Sequence, residues 1–195
     1  MEMHQEQHSI RPRASRQVTL VLAVVLASTV SVAHSDQIHI ADLEPLTISI
    51  NRVGLWGPLI SIGLDETGSL AAPKDPHVAG WYDGGSQPSG VGSTVIVGMV
   101  DSNGDVGVFW ELRQVKVGDE IVVRSKSDAV HSIATFTVTE VTLYRKSEFP
   151  TGRLYSNLPY AGVALITDGG PNAANNKYLG YLIAYGQLSS KLLLY

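Results

Sequence analysis

Short β-forming segments separated by turn residues are the feature that most constrains the fold of this chain. Residues 46–50 alternate apolar and polar side chains, as a strand with one buried face should. The glycines and prolines of residues 83–92 mark a loop, and residues 94–100 form a continuous apolar run typical of a buried strand. The other expected strands are residues 58–62, 120–124, 133–138, 140–144, 163–167 and 179–185. Together with one short helical piece near residues 107–113, this pattern predicts an all-β fold, a closed or nearly closed barrel.

Composition excludes several classes of function. The 195 residues provide one ordinary domain, and the net charge of −4, without a basic stretch interleaved with aromatic residues, argues against a nucleic-acid partner. The chain has no cysteine, which excludes disulfides, thiolate metal sites and a cysteine nucleophile. Its six histidines show no metal-ligand spacing, so we predict no metal site and no cofactor.

The N-terminus carries a targeting signal. Three arginines within residues 11–16 precede an uncharged apolar run over residues 18–33, as in a secretory signal peptide or a signal anchor. The run is roughly 16 residues long, against the ~20 that span a bilayer. Residues 1–17 are therefore expected to be cytoplasmic, residues 18–33 to be an anchor or a signal peptide, and residues 34–45 to be a polar spacer. The expected location is the cell membrane, single-pass with an extracytoplasmic domain, or secretion if the chain is cleaved after Ala33.

Six segments follow one another in a recognisable order. They are residues 80–82 (Gly-Trp-Tyr), 97–102 (Val-Gly-Met-Val-Asp-Ser), 109–112 (Phe-Trp-Glu-Leu), 117–120 (Val-Gly-Asp-Glu), 146–151 (Lys-Ser-Glu-Phe-Pro-Thr) and 165–170 (Leu-Ile-Thr-Asp-Gly-Gly). Taken together they resemble the class F sortases of actinobacteria, which are cell-surface cysteine transpeptidases. The resemblance covers about residues 46–188 and leaves residues 189–195 as a C-terminal tail. It implies an eight-stranded sortase-like β-barrel behind an N-terminal membrane segment.

The catalytic positions of the family are substituted in this chain. The resemblance implies that Met99 stands where the family has its histidine and Asp168 where it has its cysteine. Lys177 is the basic side chain in the region of the family's arginine. Methionine has no titratable proton and a carboxylate attacks amides poorly, so the unit of nucleophile and base is lost. Such a loss costs of order 10⁴-fold or more in rate, and we expect no ordinary cysteine transpeptidase activity.

The substituted residues leave other chemistry open. Asp101 follows Met99 by two positions, so both are expected on the same side of one strand, where Asp101 and Asp168 would form a carboxylate pair. The simpler interpretation is that Asp101 accepts turn hydrogen bonds. Three roles are open for Lys177: it anchors an acidic group of a ligand, it pairs with Asp168, or it is a solvated surface lysine. The candidates for the substrate groove are Asp101, Thr167, Gly169 and Gly170.

Three classes of function remain open from the sequence. The first is a pseudo-sortase that binds a sorting-signal-like peptide or a cell-surface protein in the old groove, because pockets and main-chain hydrogen bonds do not depend on a nucleophile. The second is an active surface transpeptidase or hydrolase that uses a residue set without cysteine. The third is a structural domain of the cell envelope. Trp81 and Tyr82 are expected to pack in the core, with a sugar-binding platform as the alternative.

Overall fold

The computed structural model describes residues 43–127, 130–173 and 177–195. The expectations for the basic N-terminus, for the signal or anchor at residues 18–33 and for most of the spacer fall outside the described residues. Within the described ranges, no helix combines the length and the apolar character needed to cross a membrane.

The described residues are mostly β-strand. The strands are β1 (Glu44–Ile50), β2 (Leu55–Ile62), β3 (Ala79–Tyr82), β4 (Gly92–Val97), β5 (Asp101–Ser102), β6 (Asp105–Val106), β7 (Glu120–Lys126), β8 (His131–Arg145), β9 (Ala161–Ala173) and β10 (Lys177–Leu194). The helical pieces are 3₁₀ turns at Asn51–Val53, Trp110–Gln114 and Lys146–Glu148, and α1 (Thr151–Leu154).

Eight of these strands close into a barrel in the order β1-β2-β3-β4-β9-β10-β8-β7, with β7 paired back to β1. The pairs are antiparallel except for β2 with β3 and β4 with β9, which are parallel. A parallel pair needs a crossover connection, and residues 98–160 provide the long one between β4 and β9. The expectation of an all-β, closed eight-stranded barrel with short helical turns is confirmed.

Apolar side chains fill the barrel and also cover part of its outside. The interior cluster includes Ile48, Ile121 and Phe136, all fully buried. A second cluster lies on the outer face of β4, β9 and β10, where Leu154 of α1 packs against the sheet. These strands are therefore buried on both faces, which explains why their sequences are continuous apolar runs rather than alternating ones.

Several element boundaries differ from the sequence-based expectations. β4 ends at Val97 rather than at residue 100, because the chain leaves the sheet there and Met99 O accepts a hydrogen bond from Phe109 N (2.9 Å). Asp101 lies in the separate hairpin of β5 and β6. The expectation that Met99 and Asp101 share one strand is therefore wrong. At the C-terminus, residues 190–194 pair with β8, so β10 continues through the part of the chain expected as a tail.

Candidate functional site

The outer face of β8, β10 and β9 carries Asp168, the residue that the resemblance matches to the family's cysteine. Tyr144 of β8 pairs with Tyr181 of β10, and Tyr181 pairs with Asp168 of β9. Residues directly opposite one another in a sheet project to the same face. Tyr144, Tyr181 and Asp168 thus form a row across three strands on the outside of the barrel.

The parallel pairing of β4 with β9 extends this row toward Met99. The last register pair is Val97 with Ile166, and Gly98 N then donates to Ile166 O at 3.1 Å. Met99 and Asp168 each follow this last pair by two positions, and Met99 lies beyond the end of β4. Met99 thus follows the end of the strand that pairs with β9, which carries Asp168, and the catalytic roles of these two positions in the family stay a prediction from the resemblance.

Asp168 is engaged in an ion pair with a residue that the sequence analysis did not single out. Lys146 Nζ lies 3.0 Å from Asp168 Oδ1, with both side chains about half exposed. The ammonium also lies 5.1 Å from the centroid of the Tyr181 ring, and Phe149 meets that ring edge-on at 5.0 Å. The hydrogen bond and charge of the Asp168 carboxylate hold the pKa of Lys146 above its ordinary value. Lys146 therefore remains protonated at neutral pH and can act neither as a nucleophile nor as a general base.

Asp101 does not form a proton-sharing pair with Asp168. It accepts a hydrogen bond of 2.5 Å from the Tyr178 hydroxyl, which raises the pKa of Tyr178. Each carboxylate thus has its own partner, and no hydrogen bond between the two occurs among the described residues. The described ranges also contain no group of three or more acidic or histidine side chains placed to hold a metal ion.

The remaining candidate residues have different surroundings. Thr167 is only 3% exposed, and its hydroxyl donates to Gly98 O at 2.7 Å, which ties β9 to β4. Gly169 is packed against Leu182, where an added Cβ would lie 2.9 Å from the Leu182 Cβ. Gly170 is exposed and has a left-handed backbone with φ of +83°.

Lys177 is not placed opposite Asp168. Its backbone pairs with Ala173, near the β9–β10 turn, whereas Tyr181 is the residue opposite Asp168. The Lys177 side chain lies outside what the structure describes. The cation observed at Asp168 comes instead from the connection after β8. The resemblance contained a signal for it, since Lys146 opens one of the six matching segments.

Arg153 of α1 supplies a second ion pair on the same face. Its guanidinium donates to both oxygens of Glu140, at 2.9 and 2.7 Å, and stacks 3.7 Å from the centroid of the Tyr185 ring. Hydrogen bonds from Arg153 and Thr142 lower the pKa of Glu140 to about 2. The arginine on this face is therefore engaged with the protein's own carboxylate, and α1 is fastened to β8.

Comparisons with known proteins agree with this architecture. The sortase-domain family model matches residues 48–189. Similar solved structures include sortase A of Listeria monocytogenes (19% identity, 79% of this chain and 92% of that chain, TM-score 0.56) and sortase C-1 of Actinomyces oris (21%, 74% and 71%, 0.56). A lid mutant of sortase A from Corynebacterium diphtheriae gives 18% identity, 76% and 72% coverage, and a TM-score of 0.57. A sequence search of curated proteins gives no significant match.

Identities this low show a common fold alone, but the family match adds the sequence pattern of nearly the whole barrel. The matched region contains Met99, two residues after the end of β4, and Asp168, within β9. With family model, strand order and solved structures in agreement, the chain belongs to the sortase family.

Proposed function

We propose that this chain is a class F-like, cell-surface pseudo-sortase: it lacks cysteine transpeptidase activity and binds a peptide or a partner protein on the outer face of β4 and β9. The observation that carries the proposal is the replacement of the nucleophile. The chain has no cysteine, and the residue at the family's cysteine position, Asp168, is ion-paired with Lys146.

The side chains around Asp168 support the loss of chemistry. A transpeptidase needs a nucleophile that forms an acyl intermediate and a base that passes a proton to and from the amines. Met99 carries no such proton, and Lys146 is held in its protonated form. Arg153, the arginine of this face, is committed to Glu140.

The same face retains features that suit an extended peptide. Partly buried apolar and aromatic side chains lie there beside the substituted positions, among them Val97, Phe149 and Tyr181. Peptide affinity arises from such pockets and from main-chain hydrogen bonds, neither of which requires a nucleophile. The apolar run at residues 18–33 supports a location at the membrane with the barrel outside the cell.

To test this, the full chain is incubated with Leu-Pro-x-Thr-Gly-type peptides and an amine acceptor, and mass spectrometry detects any cleaved or transferred peptide. The same peptides are titrated into the ¹⁵N-labelled protein to detect binding by NMR. The double variant Met99→His, Asp168→Cys restores the family's two side chains, and Asp168→Asn removes the carboxylate charge. We expect peptide-induced shifts without turnover in the unmodified protein and turnover in the double variant.

Other outcomes identify the two remaining classes of function. Cleavage by the unmodified protein, lost in Asp168→Asn, would contradict the proposal and assign carboxylate-based transpeptidation or hydrolysis. Absence of both binding and turnover, in the unmodified protein and in the double variant, would contradict it in favour of a structural envelope domain.

A further inference from the structure

The side of the barrel opposite Asp168 has an open outer face. In the closed strand order β1 lies opposite β9. On β1, Ser49 pairs with Trp56 of β2, and Thr47 pairs with Arg124 of β7. Directly paired residues share a face, so these four side chains lie together on the outside of the barrel.

Trp56 is the unusual residue of this face, since its side chain is 64% exposed. A tryptophan left in water beside polar groups is typical of a binding surface, because the ring offers a large apolar plane. It borders a depression of about 550 Å³ whose lining is Thr47, Ser49, Asn51, Gly54, Leu55, Trp56 and Arg124. A second depression of about 470 Å³ shares Trp56 and extends toward Trp110 and His77. Trp56 therefore stands between two adjoining hollows, and neither is lined by the residues around Asp168.

Arg124 is a guanidinium without a protein partner in the described part of the chain. Other arginines are engaged: Arg52 binds Asp119, Arg145 pairs with Glu148, and Arg153 pairs with Glu140. Arg124 forms no ion pair or side-chain hydrogen bond with any described residue. The polar side chains of Thr47 and Asn51 are equally uncommitted within those ranges, so the first hollow offers one cation and several free hydrogen-bonding groups.

The occupant must be recognised by side chains. β1 is hydrogen-bonded on one edge to β2 and on the other to β7, so this face offers no free strand edge to an added peptide strand. An aromatic plane with hydroxyl, amide and guanidinium groups around it matches a sugar ring. The C–H groups of such a ring stack on indole, and its hydroxyls bond to short polar side chains. The unpaired guanidinium adds a preference for a carboxylate, which it binds in bidentate geometry.

We propose that this face is a second binding site, for an acidic saccharide, with the sugar ring on Trp56 and its carboxylate on Arg124. The site is independent of the peptide-binding face, since it lies across the barrel from β9. It places a glycan-recognition surface on a domain that the N-terminal sequence predicts to lie outside the cell.

The probes are N-acetylmuramic acid and N-acetylglucosamine, which share a pyranose ring and an acetamido group but differ in the lactyl carboxylate. Each is titrated into the ¹⁵N-labelled full chain, and the indole N–H resonance of Trp56 is followed and assigned through Trp56→Phe. We expect this resonance to shift with the acidic sugar, at an affinity about tenfold higher than with the neutral one, as one charged hydrogen-bonded contact allows. The buried Trp81 gives an internal reference signal.

Variants separate the two contacts. Arg124→Gln should lower the affinity for the acidic sugar about tenfold and leave the affinity for the neutral sugar unchanged. Trp56→Ala should lower both affinities. Arg145→Gln, which removes an exposed arginine elsewhere, is the matched control and should change neither. Thermal melting verifies that each variant is folded. Equal affinity for the two sugars, no shift at Trp56, or an affinity for the acidic sugar that Arg124→Gln leaves unchanged would each overturn the proposal.

Discussion

Two ion pairs fasten the connection after β8 to the outer face of the barrel. Lys146, at the beginning of the connection, pairs with Asp168 of β9. Arg153, within α1, pairs with Glu140 of β8. Exposed ion pairs contribute little, commonly 0–1 kcal/mol, unless their geometry is favourable. The Arg153–Glu140 pair has that geometry, since two parallel hydrogen bonds join the guanidinium and the carboxylate.

Glu140→Gln should therefore change both stability and its pH dependence. The folded-state pKa of Glu140 is about 2, below its ordinary value of 4.5. A depressed carboxyl pKa stabilises the fold above the unfolded value, and that contribution is lost as pH falls from about 4.5 toward 2. With roughly two-fifths of each side chain exposed, we expect the variant to lose about 1 kcal/mol of unfolding free energy at pH 7. Its stability should also fall less steeply than that of the parent chain in this acidic range.

Urea unfolding at pH 7 and pH 3 measures both effects. Glu148→Gln is the control, since Glu148 pairs with the largely exposed Arg145 across 3.4 Å and should contribute almost nothing. Equal losses in the two variants would show that the bidentate geometry at Glu140 does not matter.

At the scale of elements, hydrophobic pattern predicted the existence of the strands better than their ends. The apolar run at residues 94–100 correctly indicated a strand buried on both faces, but β4 stops at Val97. What ends it is a tertiary contact, since residues 107–109 come back to bond to Met99 and Val100. Such a contact depends on the conformation of the residues between the two segments, which local periodicity does not show. The same holds for Lys146, whose pairing with Asp168 depends on how the connection after β8 folds over the sheet.

Gly107 is the residue that allows this close approach. A Cβ at that position would lie 2.2 Å from Met99 O and 2.7 Å from Met99 C, and backbone cannot yield as a flexible side chain does. Gly107→Ala should therefore destabilise the protein by about 1–3 kcal/mol, as overpacking does elsewhere. A Cβ added at Gly152 in α1 would meet no atom within 4 Å, so Gly152→Ala should be neutral or stabilising. Urea unfolding of the two variants makes the comparison, and a neutral Gly107→Ala would contradict the packing described.

The end of β10 gives a further prediction for an element. Residues 190–194 pair with β8, although the resemblance ended at about residue 188 and left them in a C-terminal tail. Deleting residues 189–195 removes these backbone hydrogen bonds, each worth about 1 kcal/mol, and should lower the unfolding free energy by about 3 kcal/mol or more. Deletion of Tyr195 alone, which is 86% exposed, should have no measurable effect. Thermal melting of both truncations distinguishes a paired strand from a dispensable tail.

At the scale of the whole molecule, the sequence predicted the class of fold but not which surfaces the closed ring would place together. Turn spacing and apolar runs sufficed for an all-β barrel. The placement of β4 beside the strand of Asp168, however, depends on the parallel pairing of β4 and β9 across a crossover of more than sixty residues, and only the resemblance indicated it. The Trp56 face was missed because no local pattern distinguishes an outward tryptophan from a core one such as Trp81, which is 5% exposed.

Closure of the barrel also predicts how the molecule unfolds. Each of the eight strands is paired on both sides, and the interior cluster joins side chains from β1, β7, β8 and β9 in a single core. Opening any one junction exposes that shared core, so partial unfolding should be unfavourable. We expect far-UV circular dichroism, which reports the strands, and tryptophan fluorescence, to which Trp81 in the core contributes, to give one coincident urea transition.

The junction between β4 and β9 is the strictest place to examine this cooperativity, because Thr167 contributes the side-chain hydrogen bond there. Thr167→Val should lower the unfolding free energy by about 1–3 kcal/mol, since the carbonyl of Gly98 loses the hydrogen bond from the buried Thr167 hydroxyl, and both probes should show the same shift in midpoint. Thr135→Val, at a position whose hydroxyl bonds to no described residue, is the matched control and should leave both curves unchanged. If the fluorescence transition of Thr167→Val separated from its circular dichroism transition, the barrel would contain two independently stable parts, and the single shared core would not govern its stability.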